Sequence, residues 1–209
     1  MRLESARLYL VCPARIVTGD VADLVGELAG AGVDVLQLRE KEMEAADLIR
    51  VGEPIRDACR AAGIPFLVND RPDVALALEA DGVHLGQNDL SAVVARRILG
   101  ARIVGTSTHA PEEIDDAPED RPDYIAVGPV YETPTKPGRQ PVGLALIEYA
   151  ARNATLPWFA IGGVNEDTLP EVMEAGARRA VVVRAITEAS DPIAAAARLR
   201  KVLDNPPKH

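Results

Sequence analysis

Short apolar runs alternate along almost the whole chain with stretches whose apolar residues recur at helical spacing. The runs are Leu8–Cys12, Val33–Leu38, Pro65–Val68, Gly82–Leu85, Ile103–Gly105, Tyr124–Val127, Trp158–Ile161 and Ala180–Val183. Brief runs with few polar members suit parallel strands buried on both faces. Between them, Val21, Leu24, Val25 and Leu28 keep i, i+3, i+4, i+7 spacing behind Asp20, a residue type that caps helices. Further helices are predicted around Leu48, Ile49, Ile55 and Cys59; around Val93, Val94 and Ile98; around Leu144 and Ile147; around Leu169, Val172 and Met173; and over Ile193–Leu203. Gly32, Gly63, Gly100 and Gly176 fall where these helices should stop. Eight strands alternating with about eight helices predict an α/β fold, a single (β/α)8 TIM barrel over residues 1–209, with 204–209 a short flexible tail. A doubly wound open sheet is the alternative, but no G-x-G-x-x-G follows a strand.

Chemistry in such a barrel sits at the C-terminal ends of the strands, so the residues after each run are the candidates. The second run continues as Gln37-Leu38-Arg39-Glu40-Lys41. Side chains alternate along a strand, so Leu36 and Leu38 should face the helix layer while Gln37, Arg39 and Lys41 point into the mouth. A solvated loop start is the plainer reading of Arg39-Glu40-Lys41, but it leaves Gln37 unexplained. The third run ends in Asn69-Asp70 and the fourth in Gly86-Gln87-Asn88-Asp89. Two carboxylates on adjacent strand ends suit Mg²⁺, which takes one or two carboxylates plus substrate phosphate oxygens. Helix capping is the alternative for either aspartate alone.

Thr106-Ser107-Thr108-His109 follows the fifth run. A long stretch from Gly128 to Gly143 follows the sixth; its length suggests a lid or binding loop, and its hydroxyls with Lys136 and Arg139 suit phosphate. Gly162-Gly163 follows the seventh run and leads towards a helix, where backbone without Cβ atoms can approach an anion. Arg184 follows the eighth. The loops after the last two strands form a phosphate site in many such barrels. His84, inside the fourth run, is expected to be a hydrogen-bonded interior residue rather than a base; His109 is either a cap or a neighbour of the site.

The chain carries 23 basic and 32 acidic residues, a net charge of −9. That disfavours nucleic acid or an anionic membrane as partner, while leaving room for a small anion in a locally positive cleft. Cys12 and Cys59 form no C-x-x-C pair and read as core residues. With no visible signal peptide and no apolar run near the ~18 residues of a membrane span, the expected compartment is the cytoplasm. No zinc motif or nucleophile elbow appears. The residues alone describe a Mg²⁺-dependent enzyme on phosphorylated or diphosphorylated small molecules, working by positioning and charge neutralisation.

Taken in order, Leu36-Gln37-Leu38-Arg39-Glu40-Lys41, Asn69-Asp70-Arg71, Gly82-Val83-His84-Leu85-Gly86-Gln87 with Asp89, Gly128-Pro129-Val130-Tyr131, Thr133-Pro134-Thr135-Lys136 and Ile161-Gly162-Gly163-Val164 resemble the thiamine-phosphate synthase family. The resemblance runs from about residue 8 to residue 195. It implies a transferase that joins a hydroxymethylpyrimidine diphosphate to a thiazole phosphate, or its carboxylated form, giving thiamine monophosphate and pyrophosphate. It assigns Gln37, Leu38, Arg39, Glu40, Lys41, Asn69, Ser107 and Lys136 to the pyrimidine diphosphate, with Arg39, Lys41, Lys136 and Ser107 as the catalytic set. It assigns Thr133, Pro134, Thr135, Gly163, Val183 and Arg184 to the thiazole phosphate, and Asp70 and Asp89 to Mg²⁺. The implied mechanism is dissociative: pyrophosphate leaves, the pyrimidine methylene cation is stabilised by its ring amino group, and the thiazole nitrogen attacks. Arg184 departs from the Ser of family members at that position. A homo-oligomer is compatible with the chain, which carries no signal for its assembly state. The rival readings are a thiazole tautomerase on the same barrel, a sugar-phosphate isomerase or aldolase, and a phosphate-ligand sensor without turnover.

Overall fold

The computed structural model describes residues 3–133 and 140–205. A 3₁₀ turn at Leu3–Ser5 leads into β1 (Leu8–Cys12), followed by a two-stranded hairpin of β2 (Arg15–Ile16) and β3 (Gly19–Asp20). The alternating elements are then α1 (Val21–Gly30), β4 (Val35–Leu38), α2 (Ala45–Ala62), β5 (Phe66–Asn69), α3 (Pro72–Ala77), β6 (Gly82–Leu85), α4 (Ala92–Leu99) and β7 (Ile103–Thr108). They continue as α5 (Pro111–Asp120), β8 (Tyr124–Val127), α6 (Gly143–Asn153), β9 (Trp158–Ile161), α7 (Leu169–Glu174), β10 (Ala180–Val182), α8 (Arg184–Thr187) and α9 (Pro192–Asp204). All strands but the hairpin pair in parallel and close into a barrel in the order β1-β10-β9-β8-β7-β6-β5-β4. This is the expected (β/α)8 barrel, with the strands on the apolar runs.

Period-two alternation divides the core. Tyr9, Val11, Val35, Leu67, Tyr124, Phe159 and Val181 fill the barrel interior, with Leu3 and Ala6 packed among them. Leu8, Leu10, Cys12, Leu36 and Leu38 face the helix layer from the same strands. Burying one such leucine stabilises the fold by about 1.5–3 kcal/mol. At the N-terminal ends, three aspartates that immediately precede strands accept N–H bonds from the neighbouring strand. Asp34 takes the N–H groups of Arg7 (2.7 Å) and Leu8 (3.0 Å), Asp81 that of Phe66 (2.8 Å), and Asp123 that of Val104 (2.7 Å). Charge-assisted bonds of this kind pin the register of the barrel floor.

Several details differ from the pattern-based expectation. The strand at Ile103 runs on through Thr106-Ser107-Thr108, because a polar residue facing the interior can be satisfied there by other interior polar groups. In α4 the residues chosen as the apolar face, Val93, Val94 and Ile98, are exposed at 39%, 36% and 37%, and Ala92, Ala95 and Leu99 are buried instead. Ser91 accepts the Val94 N–H and sets that phase, and the small alanines face inward. The helices α3 and α8 are too brief to show a period, and the ten residues of α5 bury only Ile114 and Ala117; α3 and α5 begin with Pro72 and Pro111, a residue suited to the first helical turn. Gly63 and Gly100 cap α2 and α4 with positive φ, as expected of C-terminal glycines. Asp204, expected to open the tail, is the last residue of α9 and pairs with Arg7 and Arg200. Among the described residues, no helix is long and apolar enough to cross a membrane.

Candidate active site

The C-terminal ends of the strands surround a cavity of about 560 Å³. Gln37, Arg39, Asn69, His84 and Ser107 line one side; Thr133, Gly162, Gly163, Val183, Arg184 and Ala185 line the other. Residues separated by more than a hundred positions are thus brought to one mouth by the closure of the sheet. The backbone N–H of Arg39 donates to the Cys12 carbonyl at 2.9 Å, which extends the β1–β4 ladder one residue past β4. The predicted alternation therefore holds through this stretch: Leu36 and Leu38 enter the helix layer, while Gln37 and Arg39 reach the cavity. Arg39 is half-buried. Burial pulls its guanidinium below the ordinary value, and the carboxylate of Asp70 pulls it back up.

Three members of the predicted pyrimidine-diphosphate set stand elsewhere. The Leu38 side chain is buried against the helices, so only its backbone can meet a ligand. The Glu40 carboxylate accepts the Ala14 N–H at 2.8 Å and ties the loop after β4 to the segment after β1. Lys41 is exposed and does not line the cavity. Pro134, Thr135, Lys136 and Arg139 lie outside the described residues. The ends of their loop are held together at its base, where Val142 N–H donates to Pro129 O (2.8 Å) and Gly143 N–H to Val130 O (3.1 Å).

Asp70 and Asp89 follow the neighbouring strands β5 and β6. Asp70 donates its N–H to the His84 carbonyl at 2.8 Å and then turns with φ 62. Neither aspartate caps a helix: Arg71 occupies the N-cap position of α3, and Ser91 caps α4. The Asp89 carboxylate instead accepts the Gly86 N–H at 2.7 Å. It lines a separate hollow of about 310 Å³ beside α4 and α5 rather than the main cavity. By residue type the two carboxylates are the hard oxygen donors that Mg²⁺ takes, with Asp70 beside Arg39 and Asp89 turned to the second hollow in this structure.

The glycine pair after β9 has a different local role from the one expected. A Cβ on Gly162 would lie 2.4 Å from the Cα of Pro129, and one on Gly163 would lie 2.6 Å from the Cβ of Tyr131. Both have positive φ, 98° and 68°. The missing side chains thus let the segment after β8 lie against the loop after β9, where Tyr131 N–H donates to Gly162 O at 3.0 Å. The pair does not stand at a helix N-terminus either, since α7 begins only at Leu169 after a turn in which Asn165 accepts the N–H groups of Asp167 and Thr168. The short helix that does open at the cavity is α8, whose N-cap is Val183. Arg184 directs its guanidinium to Glu188 at 2.7 Å, and the first turn of α8 opens at the cavity.

Sequence reasoning missed the aromatic floor of the cavity. Gln37 Nε2 donates to the Tyr9 hydroxyl at 2.7 Å, Tyr9 and Tyr124 share a hydrogen bond at 2.9 Å, Tyr124 meets His84 Nδ1 at 3.0 Å, and His84 Nε2 meets Ser107 Oγ at 3.0 Å. His84 is therefore the hydrogen-bonded interior residue expected. The available signal for the tyrosines was parity, since Tyr9 sits two residues before Val11 on an interior-facing row. His109 bonds through Nδ1 to the Gly128 carbonyl and lines the cavity, which makes it a neighbour of the site.

A cavity at the C-terminal face with polar side chains from several strands, flanked by a short extra helix after the last strand, is the arrangement of a (β/α)8-barrel enzyme. A family model described as thiamine monophosphate synthase matches residues 8–186. The thiamine-phosphate synthase of Thermobifida fusca is 52% identical over 205 residues, covering 97% of this chain and 94% of that protein. That of Thermus thermophilus is 52% identical over 201 residues, covering 94% and 97%. The solved thiamine phosphate pyrophosphorylase from Pyrococcus furiosus superposes with a TM-score of 0.87 at 31% identity, covering 96% of each chain. The chain belongs to the thiamine monophosphate synthase family, and is an enzyme of the transferase class.

Proposed function

We propose that this enzyme condenses 4-amino-2-methyl-5-hydroxymethylpyrimidine diphosphate with thiazole phosphate, or carboxythiazole phosphate, to thiamine monophosphate and pyrophosphate. The observation that carries this reading is the two-sided cavity: Gln37, Arg39, Asn69 and Ser107 on one wall, Thr133, Gly163 and the start of α8 on the other. Each wall suits one phosphorylated ring, and the volume of about 560 Å³ accommodates both. Arg39 and Asn69 hold the diphosphate, and Lys41, exposed outside the cavity in this structure, and Lys136 supply its further cations. Ser107 and Gln37 hold the aminopyrimidine. Thr133, Gly163 and the Val183-Arg184 backbone, together with Pro134 and Thr135, hold the thiazole phosphate.

Asp70 and Asp89 would hold Mg²⁺, which when bound neutralises charge on the diphosphate. The cationic side chains act on the same group: Arg39, Lys41 and Lys136 stabilise the charge that accumulates on the leaving pyrophosphate. The pyrimidine methylene carbon is left as a cation delocalised into its ring amino group. The thiazole nitrogen, held by the opposite wall, attacks with its own lone pair. No proton has to be removed from the nucleophile. The test is pyrophosphate release with both substrates and Mg²⁺, omitting each in turn. Release coupled to thiamine monophosphate and abolished by EDTA is expected. Folded protein that releases none would refute the proposal.

A further inference from the structure

We infer that a one-way chain of hydrogen bonds from Gln37 to Ser107 fixes His84 as the neutral imidazole protonated on Nε2, and thereby sets Gln37 as an acceptor and Ser107 as a donor towards the ligand. The inference deepens the proposed function, since it says how the pyrimidine wall chooses its ring. Tyr9, Tyr124, His84 and Ser107 come from β1, β8, β6 and β7, and all four are buried, Tyr9 at 1% and Tyr124 at 0% exposure. Gly105 makes the chain possible: a Cβ there would lie 2.0 Å from Cζ of Tyr124.

The direction follows from counting hydrogens. Gln37 Nε2 is a donor, so the Tyr9 oxygen accepts from it. Among the described residues, the remaining partner of the Tyr9 hydroxyl is Tyr124, so the Tyr9 hydrogen goes there. The Tyr124 oxygen then accepts from Tyr9, and its own hydrogen goes to Nδ1 of His84. A neutral imidazole that accepts at Nδ1 carries its proton on Nε2, which donates to Ser107 Oγ. Ser107 Oγ, having accepted, keeps its hydrogen for the cavity it lines. At the other end the Gln37 amide has given an N–H to Tyr9 and presents its oxygen to the cavity. With Gln37 Nε2 turned towards Tyr9, reversing any one of the later links would leave a clash of hydrogens or an unmade bond inside a dry core; the Gln37 amide orientation thus sets the sense of the whole chain.

An acceptor at Gln37 and a donor at Ser107 match a ring bearing an amino group and an unprotonated ring nitrogen. They mismatch the 4-oxo analogue, whose ring carries C=O and N–H instead. A mismatched buried pair should weaken binding by about tenfold to a hundredfold.

Two measurements test this. Long-range ¹H–¹⁵N correlation spectra of the unliganded wild-type protein near neutral pH, with His84 assigned against His84→Gln, should show a protonated Nε2 and a bare Nδ1. An Nδ1–H tautomer or an imidazolium overturns the inference, and this holds whatever reaction the enzyme performs. The second is inhibition by unreactive 4-amino and 4-oxo pyrimidine monophosphates. The wild type should prefer the amino ligand by at least about tenfold, and Tyr124→Phe should reduce that ratio by about tenfold, because its His84 can adopt either tautomer. Equal weakening of both ligands in Tyr124→Phe would mean a merely structural role and refute the chain. If the wild type binds neither, the substrate assignment fails while the spectra still decide the tautomer; if the variant does not fold, they decide alone.

Discussion

Gly105→Ala is the sharpest test of how the barrel interior is built. Gly105 lies on the interior row of β7, two residues before Ser107, and its backbone does not need positive φ. In an ordinary strand the added methyl would therefore stabilise by about 0.5–1 kcal/mol. Here the new Cβ would fall 2.0 Å, 2.2 Å and 2.4 Å from Cζ, Cε1 and Oη of Tyr124. The ring must move, yet it is fully buried and packed edge-on against Tyr9 and Phe159, with centroids 5.9 and 5.6 Å away. Overpacking of this kind costs about 1–3 kcal/mol. Displacing the ring also breaks its hydrogen bonds to Tyr9 and His84, worth about 1 kcal/mol each. A loss of about 3 kcal/mol or more is expected, seen in urea as a lower midpoint and on heating as a Tm fall of about 6–12 °C. In a Tyr124→Val background the alanine should cost less than about 1 kcal/mol, because the atoms it strikes are gone. A Gly105→Ala protein as stable as the wild type, within about 0.5 kcal/mol, would refute the placement of Tyr124 against β7.

Gly163→Val should raise the KM for thiazole phosphate by at least about tenfold, because the branched side chain meets Tyr131 and the backbone has φ 68°; a change confined to the pyrimidine KM would contradict the two-wall assignment. Asp89→Ala should raise the Mg²⁺ concentration needed for half-maximal rate while leaving thermal stability within about 1 kcal/mol, since the residue is exposed; an unchanged Mg²⁺ response would remove it from the metal site. Lys136→Ala should cut kcat by about 10²–10³ through loss of a cation from the leaving group, and an unchanged single-turnover rate would count against that role. Burial pushes the Cys59 thiol up to about 12, from an ordinary 9.0, and Cys12 is raised in the same direction. Both should be inert to a thiol reagent at pH 8 in the native state. Their contribution to stability should be complete below pH 9 and fall as pH rises through 12; rapid native labelling would contradict their burial.

The barrel was legible because fully buried parallel strands leave a strong signal. Eight apolar runs coincide with eight barrel strands, and the alternation through Gln37, Leu38 and Arg39 predicted which side chains reach the mouth. Weaker signals misled for physical reasons. The valines of α4 have helical spacing, but any two or three residues satisfy several phases, and the cap at Ser91 together with the inward alanines selected another. The Gly162-Gly163 pair announced a position where side chains cannot fit, but sequence does not say what fills the space; the segment at Pro129–Tyr131 does.

The sequence by itself determined the repeat, the strands and which polar residues follow each of them, because periodicity and residue chemistry are local properties. Only the tertiary structure distinguished aspartates of similar appearance. Asp34, Asp81 and Asp123 pin the floor through backbone N–H groups, whereas Asp70 and Asp89 stand at the opposite end of the strands. Only closure of the barrel, likewise, could join Tyr9 to Tyr124 across 115 positions and both to Gln37, His84 and Ser107. Buried hydroxyls must find partners, and the partners available are set by which strands meet in space.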